Sequence, residues 1–222
     1  MSTPETDAVI FDVDGTLVDS NYQHALAWYR AFRGVQITLP IWRIHRHVGM
    51  GGDRIIAALA GDDVERRHGD TLRAGHGNEF ARMIDEVAPL DGARDLLIAL
   101  QDSGIEVTIA SSGEREMVDR FLDLIDAGDA VSTVISTQDV GQSKPAPDLV
   151  ETAAKQARAH SPVMIGDAVW DARSAIDAGV PFVAVLSGGF SAQELLEAGA
   201  SAVYTSPRDI LEHLGDGPLP RQ

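Results

Sequence analysis

Two carboxylates stand two residues apart in Val9-Ile10-Phe11-Asp12-Val13-Asp14-Gly15-Thr16-Leu17, directly behind an apolar run of strand length. A strand repeats every two residues, so Asp12 and Asp14 share one face at its C-terminal end, where open α/β sheets bind ligands. Such a pair can divide labour. One carboxylate attacks phosphorus while the other handles the leaving group's proton, provided their environments differ. The plain alternative is a strand followed by an acidic turn.

Three further groups of polar residues fall at the ends of other expected strands. They are Thr108-Ile109-Ala110-Ser111-Ser112-Gly113, Lys144-Pro145-Ala146-Pro147-Asp148 and Ile165-Gly166-Asp167-Ala168-Val169-Trp170-Asp171. Together they supply a hydroxyl, an ammonium and two more carboxylates. With Asp12 the set would hold a hard cation through oxygens, and a phosphoryl group through hydroxyl, backbone amides and lysine. Each has an ordinary reading by itself: Ser111 or Ser112 as a helix cap, Lys144 as a solvated loop charge, Asp171 as a first-turn acid. Four such groups in order along one sheet edge are hard to explain that way.

The elements that must position them follow from periodicity. Apolar runs at 8–11, 106–110, 131–135, 162–165, 182–186 and 202–204 alternate with helical patterns at 92–103, 114–125, 147–157, 170–178, 192–198 and 207–214. The alternation predicts an α/β fold, a doubly wound parallel sheet. It fails after the first strand. There the patterns at 22–33, 41–47, 53–59, 64–68 and 72–86 are helical, so residues 19–89 are expected to form a helical insertion closed by Pro89 and the Asp91-Gly92 turn, within a core of 1–18 and 90–222. The tail from Gly215 to Gln222 is expected to fray.

Composition narrows the chemistry. With no cysteine, thiolate nucleophiles and Cys-ligated metals are excluded, and any metal must sit on oxygen or imidazole. A formal charge of −16 opposes binding to nucleic acid or anionic membranes. No apolar run approaches bilayer length, and the acidic start from Met1 to Asp7 lacks the pattern of a secretory signal, so a cytoplasmic location is expected. Oligomeric state is not legible.

In motif order the chain resembles the haloacid dehalogenase superfamily through its whole core. The resemblance implies a Rossmann-like core, with Asp12 as nucleophile, Asp14 as general acid and base, Ser111 and Lys144 as phosphate-binding groups, and Asp167 and Asp171 as the acidic metal motif. It implies Mg²⁺ held by the Asp12 and Asp167 carboxylates and the Asp14 carbonyl, with Asp171 in support. Ser112 and Gly113 are then expected beside a small phosphorylated substrate. The insertion resembles the helical cap of β-phosphoglucomutases and phosphoglycolate phosphatases, which would bring His24 near Asp14.

One cap stretch, 42–54, concentrates cations in an otherwise acidic chain. Arg43, Arg46 and His47 lie within helical reach of one another, and Gly49 and Arg54 follow, so the stretch is expected either to clamp the substrate's far end or to form a solvated basic face. A phosphatase is the first expectation and a phosphomutase the nearest rival. A dehalogenase is disfavoured by Asp14, and a phosphonatase by the absence of any lysine from 19–89. A catalytically silent binding module is the alternative of another class.

Overall fold

The computed structural model describes residues 6–215 and 219. Along the chain run β1 (Ala8–Phe11), β2 (Val18–Asp19), α1 (Asn21–Gly34), α2 (Ile41–His45), α3 (Ile55–Ala60), α4 (Asp62–Ala81) and β3 (Ala88–Pro89). They continue with α5 (Ala93–Asp102), β4 (Glu106–Ala110), α6 (Arg115–Ile125), β5 (Thr133–Ile135), α7 (Asp148–Gln156) and β6 (Pro162–Gly166). The last elements are α8 (Val169–Asp177), β7 (Phe182–Val185), α9 (Ala192–Glu197), β8 (Ala200–Tyr204) and α10 (Pro207–Glu212).

Six strands form a parallel sheet in the order β5-β4-β1-β6-β7-β8. All four residues of β1 are buried, as a central strand covered on both faces requires. The faces separate by parity. Val9, Phe11, Val107, Ile109, Val163 and Ile165 join one apolar cluster, while Ile10, Ala110, Ile135, Met164 and Phe182 join the other. Because the chain moves from β1 to β4 and β5 on one side and returns to β6 on the other, the strand order reverses at β1. That reversal opens a crevice at the C-terminal end of β1, where Asp12 emerges.

Between β2 and β3 the chain forms α1 to α4, which carry an apolar cluster of their own around Trp28, Phe32, Ile44, Ile55, Ile56 and Leu72. β2 and β3 pair antiparallel, Val18 with Pro89 and Asp19 with Ala88, so the chain leaves and rejoins the sheet side by side. This two-residue ladder is too short to leave a periodic signal.

The helical patterns at 64–68 and 72–86 belong to one helix, α4, which runs through Gly69 and stops at Ala81 before a 3-10 turn at Ile84–Glu86. The tips of the Glu65 and Arg73 side chains close over Gly69. The pattern at 41–47 ends at His45, and that at 53–59 starts at Ile55. Most of the tail expected to fray lies outside the described residues. Among the described residues no helix is long and apolar enough to cross a membrane.

Candidate active site

The loop after β1 is coiled by its own backbone. The amides of Thr16, Leu17 and Val18 all donate to the Val13 carbonyl, at 3.2, 2.8 and 3.1 Å, and the Gly15 amide donates to Val18 at 2.8 Å. Gly15 has φ +77°, and a Cβ there would overlap the side chains of Asn21 and Asp167. Only glycine allows the turn and the approach together. From the other side Gly188 presses on Asp167 in the same way, so that carboxylate sits between two stretches of backbone. Asp12 itself is tied to the end of β6, its amide donating to Ile165 O at 2.9 Å.

Lys144 is fully buried, and Asp12 is 3% exposed. Lys144 Nζ donates to Asp12 Oδ1 at 2.5 Å and pairs with Asp171 Oδ1 at 2.8 Å. Asp12, Asp167 and Asp171 each offer an oxygen within 4.8 Å of the others. Burial pushes the Asp12 carboxyl up to about 7, with Asp171 and Asp14 adding to the shift and Lys144 opposing it. Asp167 is pushed well above the ordinary range by burial and then by Asp171 and Asp12. For Lys144, burial alone would lower the ammonium, but the two neighbouring carboxylates outweigh it and raise it.

Three buried acids therefore face one ammonium. Thr16 Oγ1 lies 3.3 Å from Asp167 and 3.4 Å from Asp12, Asn21 Nδ2 donates to Asp167 at 2.8 Å, and Asn21 Oδ1 is buried with no partner. An all-oxygen, carboxylate-rich cluster with surplus negative charge and an orphaned acceptor beside it suits a hard divalent cation.

Asp14 lives in different surroundings. Its Oδ1 accepts from Ser20 Oγ at 2.5 Å and lies 3.0 Å from His24 Nε2, while His24 Nδ1 lies 3.0 Å from His76 Nε2 on α4. Burial works to raise this carboxyl, yet His24 and Ser20 hold it below the ordinary value. The two acids of the motif are thus driven apart, which division of labour between them requires. His24 stacks on Phe80 at 3.9 Å between centroids, and His76 stacks on Trp28 at 4.2 Å.

Asp12, Asp14 and His24 open onto a cavity of about 410 Å³ that Gly49, Ser112 and Gly113 also line. Ser112 Oγ is buried without a partner. Ser111 lies just beneath, its Oγ accepting from the Gly113 amide at 3.0 Å, and Glu114 rather than either serine caps α6. Asp171 keeps part of its ordinary role, since its Oδ2 accepts from the Ala168 amide at 3.0 Å.

The basic stretch of the insert is not gathered into this cavity. Arg43 donates to Leu59 O at 3.1 Å and accepts His47 on its own carbonyl, with Nδ1 at 2.9 Å. Arg46 crosses to the core, pairing with Glu194 at 2.5 Å and lying 3.7 Å above the Phe190 ring, and Trp170 Nε1 donates to its carbonyl at 3.1 Å. Arg54 bonds to Gln142 and pairs with Asp53 at 3.5 Å. Arg46 and Arg54 thus belong to a seam between the insert and the core, where Glu194 and Gln142 hold them.

A family model for haloacid dehalogenase-like hydrolases matches residues 6–179. The chain belongs to the haloacid dehalogenase-like hydrolases. Among solved structures, a hydrolase from Pseudomonas syringae is 35% identical, with a TM-score of 0.88, over 93% of this chain and 96% of its own. A phosphoglycolate phosphatase from Shigella boydii is 30% identical over 93% of this chain and 92% of its own length. An N-acetylmuramic acid 6-phosphate phosphatase from Pseudomonas aeruginosa is 24% identical over 93% and 94%.

Several lining residues of this hydrolase escape the motif reading: Trp28, Arg73, His76, Gly77 and Phe80. Their signal is spacing alone. Trp28 follows His24 by one turn, and positions 73, 76, 77 and 80 recur at i, i+3, i+4 and i+7 along α4.

Proposed function

We propose that this phosphoric monoester hydrolase cleaves a small phosphorylated metabolite of the cytoplasm through an aspartyl-phosphate on Asp12, with residues 19–89 acting as a cap over the site. The observation that carries the reading is the placement of Asp12. It is buried, paired with Lys144 at 2.5 Å, faces the cavity, and stands beside a second carboxylate held in a contrasting environment. Both the family and its phosphatase relatives agree with that class of reaction.

Asp12 attacks phosphorus in line while Lys144 fixes the carboxylate's orientation. The leaving oxygen takes its proton from Asp14, which a phosphate dianion arriving alongside would push upward from its resting, ionised state. Asp14 then withdraws a proton from the water that opens the aspartyl-phosphate, with His24 and Ser20 keeping its oxygen aimed. Ser111, the amide of Gly113 and Lys144 surround the phosphoryl oxygens. Asp12, Asp167 and the Asp14 carbonyl would hold Mg²⁺, with Asp171 in support, and the ion when bound supplies positive charge against the transferring group.

The test is Asp12→Asn. Phosphate release should fall by at least about three orders of magnitude with the fold intact, and acid-quenched wild type should carry a phosphoryl group that the variant lacks. Near-normal turnover by variant protein verified free of deamidation would falsify the covalent route.

A further inference from the structure

Every cation that lines the cavity is already engaged. Arg73 Nη1 donates to Glu65 at 2.8 Å and to Gly52 O at 3.1 Å, and its Nη2 donates to Asp70 at 2.9 Å. His24 is held between Asp14 and His76. His76 is kept neutral chiefly by burial. Just outside the wall, Arg54 is taken by Asp53 and Gln142.

Negative groups are in surplus on the same wall. Asp53 lines the cavity with its charge met by Arg54, and it also accepts from the Ser143 amide at 3.3 Å. Glu114 lines it too, and among the described residues its side chain has no ion-pair partner. Facing these acids is an apolar surface made by Trp28, Met50, Phe80, Met117 and Phe121, with the unpartnered Ser112 Oγ near the phosphate end.

We infer that the leaving group accepted here carries no negative charge: the substrate is a phosphate monoester of a neutral, ring-sized alcohol rather than of a hydroxy acid. A carboxylate or second phosphate in this space would meet the unpaired Glu114 and find no free cation, and like-charge contact there is unfavourable to a degree that salt screens. A neutral ring lies against the aromatic wall with its hydroxyls toward Ser112. The volume is at the small end of ordinary ligand pockets, roughly 300–1,000 Å³, and is ample for one ring beyond the phosphate. The inference rests on the phosphatase reading above. It also disfavours mutase chemistry, in which a bisphosphate must be gripped at both ends.

The deciding experiment compares 4-carbamoylphenyl phosphate with 4-carboxyphenyl phosphate, near-isosteres that differ in charge, on the Mg²⁺-loaded full chain at low ionic strength. The neutral ester should show a kcat/KM about tenfold higher or more, with the gap closing as salt rises. Glu114→Gln should narrow the gap about two- to threefold by improving the carboxylate ester alone. The inference is overturned if the carboxylate ester is turned over as well as the neutral one, or if Glu114→Gln leaves the gap between the two esters as wide as in wild type. Failure to release phosphate from either ester and from p-nitrophenyl phosphate would instead strike the phosphatase reading, and this inference with it.

Discussion

Cations meet acids in two regions of this molecule, and the meetings differ. At the sheet edge Lys144 is wholly buried against Asp12 and Asp171. At the seam between helical insert and core, Arg46 meets Glu194 across it, and Arg54 pairs with its neighbour Asp53 while reaching Gln142, the charged side chains lying between 31% and 46% exposed. Buried charges of unequal number keep a strong field and remain poised for a ligand that completes them. Half-wet pairs are screened by water and act as fasteners. Burial, not residue type, separates chemistry from attachment here.

The sharpest way to break that contrast is Lys144→Met. It should abolish measurable phosphate release and destabilise the metal-free protein by about 3 kcal/mol, because two buried acids lose their counter-charge. Combining it with Asp171→Asn should recover much of the stability and none of the activity. Denaturant melts of the single variant that match wild type would show that the buried lysine is no more than a fastener too.

A smaller effect concerns pH. Asp12 is raised from 3.8 to about 7, so between those values the folded, metal-free chain binds more protons than the unfolded chain. Its stability from this group is present at low pH and is lost as pH climbs through that window. Thermal melts in EDTA should therefore show the site's contribution falling from about pH 4 to 7, and added Mg²⁺ should raise Tm more at pH 7 than at pH 5. A Mg²⁺ shift equal at both pH values would remove the charge crowding from the account.

Smallest of all should be Arg46→Ala and Arg54→Ala. Each should cost about 1 kcal/mol or less, with kcat/KM changing by the same factor for p-nitrophenyl phosphate and for larger esters, and less so at high salt. A loss confined to larger esters would move these arginines from the seam into substrate binding.

The chemical half of the site was legible because Asp12, Ser111 and Asp167 each follow an apolar run, and the end of a parallel strand has one place in space, while Lys144 takes its place from the order of the motifs. Asp12, Ser111, Lys144 and Asp167 could be positioned before any coordinates. The cavity wall was not legible for the opposite reason. Trp28, Arg73, His76 and Phe80 lie on two helices, α1 and α4, whose mutual packing no local pattern encodes, so nothing in the sequence singles out His76. The charge run of 42–54 drew attention because it was conspicuous in sequence, yet its partners come from far along the chain, Glu194 from α9 and Gln142 from the loop before α7. Gly69 hid the continuity of α4, since a glycine inside a helical pattern lowers local helix propensity and reads as a break.

The strand that bears Asp12 also sets a schedule. Ala8 must find Glu106 on one side and Pro162 on the other, so β1 has no partner until β4 exists and is not paired on both sides until β6 does. The apolar cluster of the insert, by contrast, draws its fully buried members from residues 25–72 alone. Contacts close in sequence form early and distant pairings late, so during synthesis the insert is expected to consolidate while the catalytic strand is still waiting for partners. Pulse-labelled hydrogen exchange on arrested nascent chains would show it: amides of α1 and α4 protected first, those of β1 last.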